Sequence, residues 1–104
     1  MPHCIKIQDL MSKLGNFKYV ENAPSRNGMG KAPNQFILHY ENGQVFQSYK
    51  SLCAAKVDGK LYLTRYHDYS CTTSLHVTKW TGRNTQDRRK GIADGRFVII
   101  EDYD

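Results

Sequence analysis

The chain lacks the patterns from which a chemistry is most readily read. Its three cysteines, Cys4, Cys53 and Cys71, stand too far apart for a C-x-x-C metal or redox motif. An odd number cannot pair completely within one chain, so reduced thiols are expected. The four histidines, His3, His39, His67 and His76, show no H-x-x-x-H spacing, which leaves no metal site and no cofactor to expect. No phosphate loop, nucleophile elbow, internal repeat or low-complexity segment is visible. No apolar run approaches the ~20 residues that cross a bilayer, and no secretory leader is evident. A cytoplasmic protein without membrane contact is the resulting expectation.

Negative charge is also in short supply. Fifteen Lys plus Arg face ten Asp plus Glu, a formal charge of +5 over 104 residues. That excess permits an anionic partner without demanding one. The length suits a single globular domain, 1–104, large enough to build one core without obligatory staples.

What is present most clearly is turn chemistry between residues 34 and 74. Asn42-Gly43 and Asp58-Gly59 each separate two runs rich in β-branched, aromatic and aliphatic residues. Both dipeptides tolerate the positive φ angles of a two-residue type I′ turn, so each predicts a tight hairpin. The first pairs Gln35 to Glu41 with Gln44 to Tyr49. After a break or bulge at Lys50-Ser51, the second pairs Leu52 to Val57 with Lys60 to Arg65. Cys53, Ala54 and Ala55 are small enough to admit another element close against this strand.

On either side of this four-stranded meander the pattern is helical or irregular. Ile7, Leu10, Met11 and Leu14 recur at helical spacing, with Gly15 as a stop. Phe17 to Val20 reads as a brief strand, and Glu21 to Pro33, carrying Pro24, Gly28, Gly30 and Pro33, reads as a mobile loop in which Arg26 and Lys31 are incidental charges. Thr72 or Thr73 is expected to cap a helical turn holding Leu75, Val77 and Trp80. Thr85 is expected to cap a second helix that ends at Gly95 and is weakened by Gly91. Phe97 to Ile100 then reads as a buried strand added to the sheet. The expected fold is α+β: a small antiparallel sheet, made of the hairpin meander plus a C-terminal strand, with two or three short helices packed on it.

Two groups of residues invite a functional reading. Asp68, Ser70, Thr72, Thr73 and His76 contain the types of an activated nucleophile, but their local spacing offers no glycine-built oxyanion site, and capping chemistry explains them better. No catalytic residue is therefore expected, and the chain is not expected to be an enzyme. The stronger candidate is a basic surface formed by Lys79, Arg83, Arg88, Arg89, Lys90 and Arg96, with Tyr66 and Tyr69 as stacking residues. Such a surface suits a protein partner or nucleic acid, bound as single strands on aromatic rings or as duplex through its backbone.

The segments Asn34-Gln35-Phe36-Ile37, Gly43 to Ser51 with its Phe46-Gln47-Ser48-Tyr49 core, and Asp68-Tyr69-Ser70-Cys71-Thr72-Thr73 together resemble a family of short uncharacterised bacteriophage proteins. Arg88, Arg89 and Lys90, followed by Gly95 and Phe97 to Ile100, match its closing basic helix, glycine and strand. His67 departs from a tryptophan at that place, and Leu75-His76-Val77 departs from a more basic, aromatic stretch. The resemblance implies a phage origin, residence in the cytoplasm of the infected bacterial host, and an accessory role during infection. It implies stoichiometric binding to a bacterial host protein or ribonucleoprotein complex. Inhibition of host antiviral defence, in the manner of an anti-CRISPR protein, is its leading form, with host transcription machinery as another target. It brings no activity and no catalytic residues.

Overall fold

The two hairpins belong to a sheet larger than the sequence predicts. The computed structural model describes residues 3–25, 29–101 and 103. In chain order the elements are β1 (His3–Ile5), α1 (Ile7–Leu14), β2 (Phe17–Pro24), β3 (Lys31–Tyr40), β4 (Gly43–Ser48), β5 (Ser51–Val57) and β6 (Lys60–Leu63). A 3₁₀ turn (Arg65–Asp68), α2 (Cys71–Thr81), α3 (Thr85–Asp94) and β7 (Val98–Ile100) complete the fold. One seven-stranded sheet runs in the order β1-β7-β6-β5-β4-β3-β2. The class is α+β as expected. The sheet, however, is mixed, because β7 lies parallel to both β6 and β1.

Asp58 and Gly59 take φ angles of 52° and 75°, and Val57 faces Lys60 across a two-residue turn, as the type I′ reading requires. The other dipeptide behaves differently. Tyr40 faces Gly43, so Glu41 and Asn42 occupy the turn and Gly43 is already strand. Neither Asn42 nor Gly43 has positive φ. Glycine is needed there for space instead, since a Cβ on Gly43 would sit 2.2 Å from the Lys56 carbonyl oxygen on the neighbouring strand. A further tight hairpin replaces the expected break: Ser48 faces Ser51 around Tyr49-Lys50, with Tyr49 at φ 55°.

The expected loop at 21–33 is mostly strand. β2 continues to Pro24, and β3 begins at Lys31. Ala23 and Ala32 are buried, which favours keeping both chains extended. Pro24 is tolerated because β2 is the sheet edge and offers its backbone to no further strand. A register shift between Asn22 and Pro24, with Asn34 at φ 64°, accommodates Pro33. Arg26 lies outside the described residues.

Strand alternation supplies two cores, one per face. Phe46, Ala54, Leu61 and Leu63 gather with Val77 of α2 and Phe97, while Val45, Ala55, Val57 and Tyr62 gather with Leu10 and Leu14 of α1 and with Ile100. Leu10 and Leu14 are wholly buried, each contributing about 2 kcal/mol of hydrophobic burial. Helices thus cover both faces, which explains why Ala54 and Ala55 are both small. Gly91, read as a weakness in α3, has a packing role: a Cβ there would lie 2.1 Å from the Phe97 ring.

Candidate functional site

The helices that carry the candidate residues start one or more positions earlier than their threonines suggested. Ser70, not Thr72 or Thr73, caps α2, its Oγ accepting from the Thr73 amide at 3.1 Å. Asn84, not Thr85, caps α3 by accepting from the Asp87 amide at 2.9 Å. The hydroxyl of Thr73 bonds that of Ser70 at 3.1 Å and that of Ser48 at 3.0 Å, tying the start of α2 to β4. Asp68 accepts two hydrogen bonds from Arg89, at 2.9 and 2.7 Å, and His76 is buried beside Val77. Asp68, Ser70 and Thr73 of this polar cluster therefore serve to join a helix start, a strand and a neighbouring helix.

Arg88 is the largest departure from expectation. It was expected to project from the helix; instead it is fully buried, at 0% exposure. Its Nε donates to His67 Nδ1 at 2.9 Å, Nη1 to Thr78 Oγ1 at 2.8 Å and the Arg83 carbonyl at 2.6 Å. Nη2 donates to Ser74 Oγ at 2.8 Å, the His67 carbonyl at 3.2 Å and Thr85 Oγ1 at 3.3 Å. All six acceptors are neutral. The five N–H groups of the planar fork thereby hold together the 3₁₀ turn, α2, the α2–α3 connection and α3. Burial lowers the affinity of this guanidinium for its proton, with Asp68 acting in the opposite sense, yet an arginine remains charged at any physiological pH.

The partner His67 must accept through Nδ1, so its ring carries its proton on Nε2. Burial holds its pKa below the ordinary 6.5, opposed by Asp68 and reinforced by Arg88 and Arg89. The folded protein keeps this ring neutral where an unfolded chain would protonate it. Stability from this source is complete above pH 6.5 and declines as the pH falls from there toward the depressed folded value. Denaturant midpoints measured from about pH 7.5 down to 5 should fall, and His67→Gln, whose amide oxygen can still accept from Arg88, should flatten that slope. An unchanged slope would remove His67 as its source. The Asp68 carboxyl is held below its ordinary value: burial alone would raise it, but the Arg89 hydrogen bond and the charges of Arg89 and Arg88 outweigh that effect.

The remaining predicted cations are on the surface. Lys79, Arg83, Arg89, Lys90 and Arg96 are all exposed. Lys79 Nζ donates to the Ser25 carbonyl at 3.0 Å, and the Arg96 Nε binds both carboxylate oxygens of Asp94. The exposed Arg89–Asp68 pair contributes at most about 1 kcal/mol to stability. Arg83 and Arg96 approach the Phe97 ring at 5.9 and 5.4 Å. Tyr69 is 77% exposed and stands 5.8 Å from the half-buried Tyr66 ring. These two tyrosines, with Tyr49, Cys53, Ser70 and Thr73, line a cavity of about 180 Å³. The Cys53 thiol there is pushed up to about 11 by burial, which leaves it a poor nucleophile.

Two cations were missed by sequence reasoning. Lys56 and Lys60 flank the Asp58-Gly59 turn and join Arg83 and Arg96 in lining a groove of about 280 Å³. Strand alternation placed Lys56 on the face of Ala54 and Phe46, but nothing local indicated that α2 and β7 would bring two arginines beside it. Lys56 donates to the Trp80 carbonyl at 2.8 Å and lies 4.3 Å from the centre of that ring, and burial lowers its pKa.

Residues 13–95, from the end of α1 through α3, match a family model described as a family of unknown function, DUF8033. The chain belongs to this family. The family segment contains the whole meander, both capped helices and Arg88 with all its acceptors, so the buried polar centre lies within the family's boundaries. No curated protein and no solved structure matches the chain significantly. Among the described residues no helix is long and apolar enough to cross a membrane.

Proposed function

We propose that this protein acts by stoichiometric binding, through the cations outside its core, to an acidic macromolecular partner. One observation supports the reading most. Folding draws Arg88, Ser70, Thr73 and Asp68 into internal or bridging hydrogen bonds, while Lys79, Arg83, Arg89, Lys90 and Arg96 remain exposed. Arginine forks and an exposed tyrosine are frequent anchors of binding interfaces. The resemblance to short phage proteins favours a phage origin and a bacterial host protein or ribonucleoprotein complex as the partner. Inhibition of host antiviral defence, anti-CRISPR-like, is the leading form of that reading, with host transcription machinery as the other target.

Arg89 and Lys90, both exposed on α3, provide the test. Arg89→Gln combined with Lys90→Glu should leave the folding transition nearly unchanged, because exposed substitutions cost little. Capture of a purified host effector complex should weaken about tenfold, since charge reversal at an interface introduces repulsion. Undiminished capture or undiminished inhibition by the folded variant would exclude this helix from the binding surface. Direct nucleic-acid binding is a second reading, favoured by the groove of Lys56, Lys60, Arg83 and Arg96, whose lining contains no carboxylate.

A further inference from the structure

The basic groove does not end at the sheet edge. A second groove of about 290 Å³ opens beside β1 and β7, lined by His3, Lys13 and Tyr62 among others. Lys60 and Arg96 line both grooves. The first groove includes Leu61 and Phe97, which belong to the core under α2, and the second includes Tyr62 and Val98, which belong to the core under α1. The two depressions therefore lie on opposite faces of the sheet and meet at its end, around the starts of β6 and β7. Neither lining contains an aspartate or glutamate.

We infer that these joined grooves form a track for the phosphodiester backbone of a single-stranded nucleic acid, an assignment that rests on the nucleic-acid reading above. Three properties favour a chain of phosphates over a single anion. First, the cations are spread along two connected depressions instead of converging on one point, as Lys56 and Arg83 belong to one groove and Lys13 to the other. Second, the shared pair is available. Lys60 is exposed at the strand start, and Asp94 engages Arg96 only through Nε, leaving its Nη groups without a hydrogen bond among the described residues. Third, Arg83 has its guanidinium near the Phe97 ring and no carboxylate partner among the described residues. Cations held this way form charge-assisted bonds to phosphate oxygens, and arginine does so through two N–H groups at once.

The experiment is fluorescence anisotropy of a labelled mixed-sequence 20-nucleotide single strand, titrated with the full-length protein at several salt concentrations. Neutralising the shared pair, Lys60→Gln with Arg96→Gln, should weaken binding about tenfold and reduce the slope of log affinity against log salt by about 1.4, the value for two lost phosphate contacts on a single strand. Lys13→Gln, which alters only the second groove, should reduce that slope by about 0.7. Arg89→Gln with Lys90→Glu lies outside both grooves and should leave the slope of log affinity against log salt unchanged.

Inorganic phosphate and a mononucleotide serve as competitors. Competition only at phosphate concentrations far above those of the oligonucleotide supports a polymer track. Equal competition per phosphate would make the site a single-anion pocket and overturn the assignment. Salt-independent or absent oligonucleotide binding by the wild type, or full binding by the Lys60/Arg96 variant, would also overturn it. If the wild type fails to bind oligonucleotide yet captures a host protein complex, only the track falls. If the Arg89/Lys90 variant captures that complex fully while oligonucleotide binding follows Lys60 and Arg96, only the helix α3 surface falls.

Discussion

Arg88→Met should destabilise the folded protein by about 4 kcal/mol, a large share of the roughly 5–15 kcal/mol that holds a domain of this size together. Methionine replaces most of the stem but none of the donors. His67 Nδ1 and the His67 carbonyl would be left buried without the N–H groups they now accept from, while the Arg83 carbonyl would keep the Thr81 hydroxyl at 3.2 Å. The hydroxyls of Ser74, Thr78 and Thr85 can rotate toward other partners, so those losses should be smaller. Arg88→Lys keeps the charge but presents three donors from one point, and it should recover only part of the loss. Arg88→Glu places an anion among groups arranged as acceptors and should not fold. Urea denaturation followed by tryptophan fluorescence measures the series. An unfolding free energy for Arg88→Met within about 1 kcal/mol of wild type would show that the buried network contributes little.

Gly43→Ala should cost about 3 kcal/mol, more than Gly59→Ala at the better-known turn position. The added methyl on Gly43 meets the Lys56 carbonyl oxygen at 2.2 Å, with Leu14 and Val57 side chains at 3.0 and 3.1 Å. A backbone oxygen on a paired strand cannot rotate away, so β4 and β5 must separate locally. Gly59 has open space around its Cβ position and only its φ of +75° to strain, which costs about 1 kcal/mol. Trimming Leu14 to alanine should not rescue Gly43→Ala, because the closest contact is backbone. Equal midpoints for the Gly43 and Gly59 variants would contradict steric exclusion as the reason for glycine at position 43.

The parts of this fold legible in the sequence were those set by local rules. Asp58-Gly59 announced its turn, the spacing of Leu10 and Leu14 announced α1, and Gly82 and Gly95 both end their helices in the left-handed conformation. Parallel pairing of β7 with β1 was not legible, since three residues of each strand carry no mark of their partner. Continuation of β2 and β3 through Pro24 and Pro33 depended on sheet position, which local composition does not report.

The candidate surface was legible in composition and not in placement. Arg88, Arg89 and Lys90 are adjacent and chemically alike, yet α3 has few apolar residues to turn inward. Arg88, Gly91 and Ile92 fall at i, i+3 and i+4 and share one helix face. Gly91 is buried against Phe97, so the arginine one turn earlier is carried inside with it. That spacing was the available signal. Lys56 and Lys60 meet Arg83 and Arg96 only through tertiary structure, which no spacing in the sequence encodes.

The place of β1 in the sheet bears on how the protein is made. Among the described residues its one strand neighbour is β7, which is itself inserted between β1 and β6. During synthesis on the ribosome, β2 through β6 can close successive hairpins as they emerge, because each needs only the strand just before it. His3 to Ile5 must wait until Val98 to Ile100 appear. β1 thus precedes every other described strand along the chain yet finds its place only with the last of them, and until then Cys4 and Ile5 lack the sheet pairing that holds them.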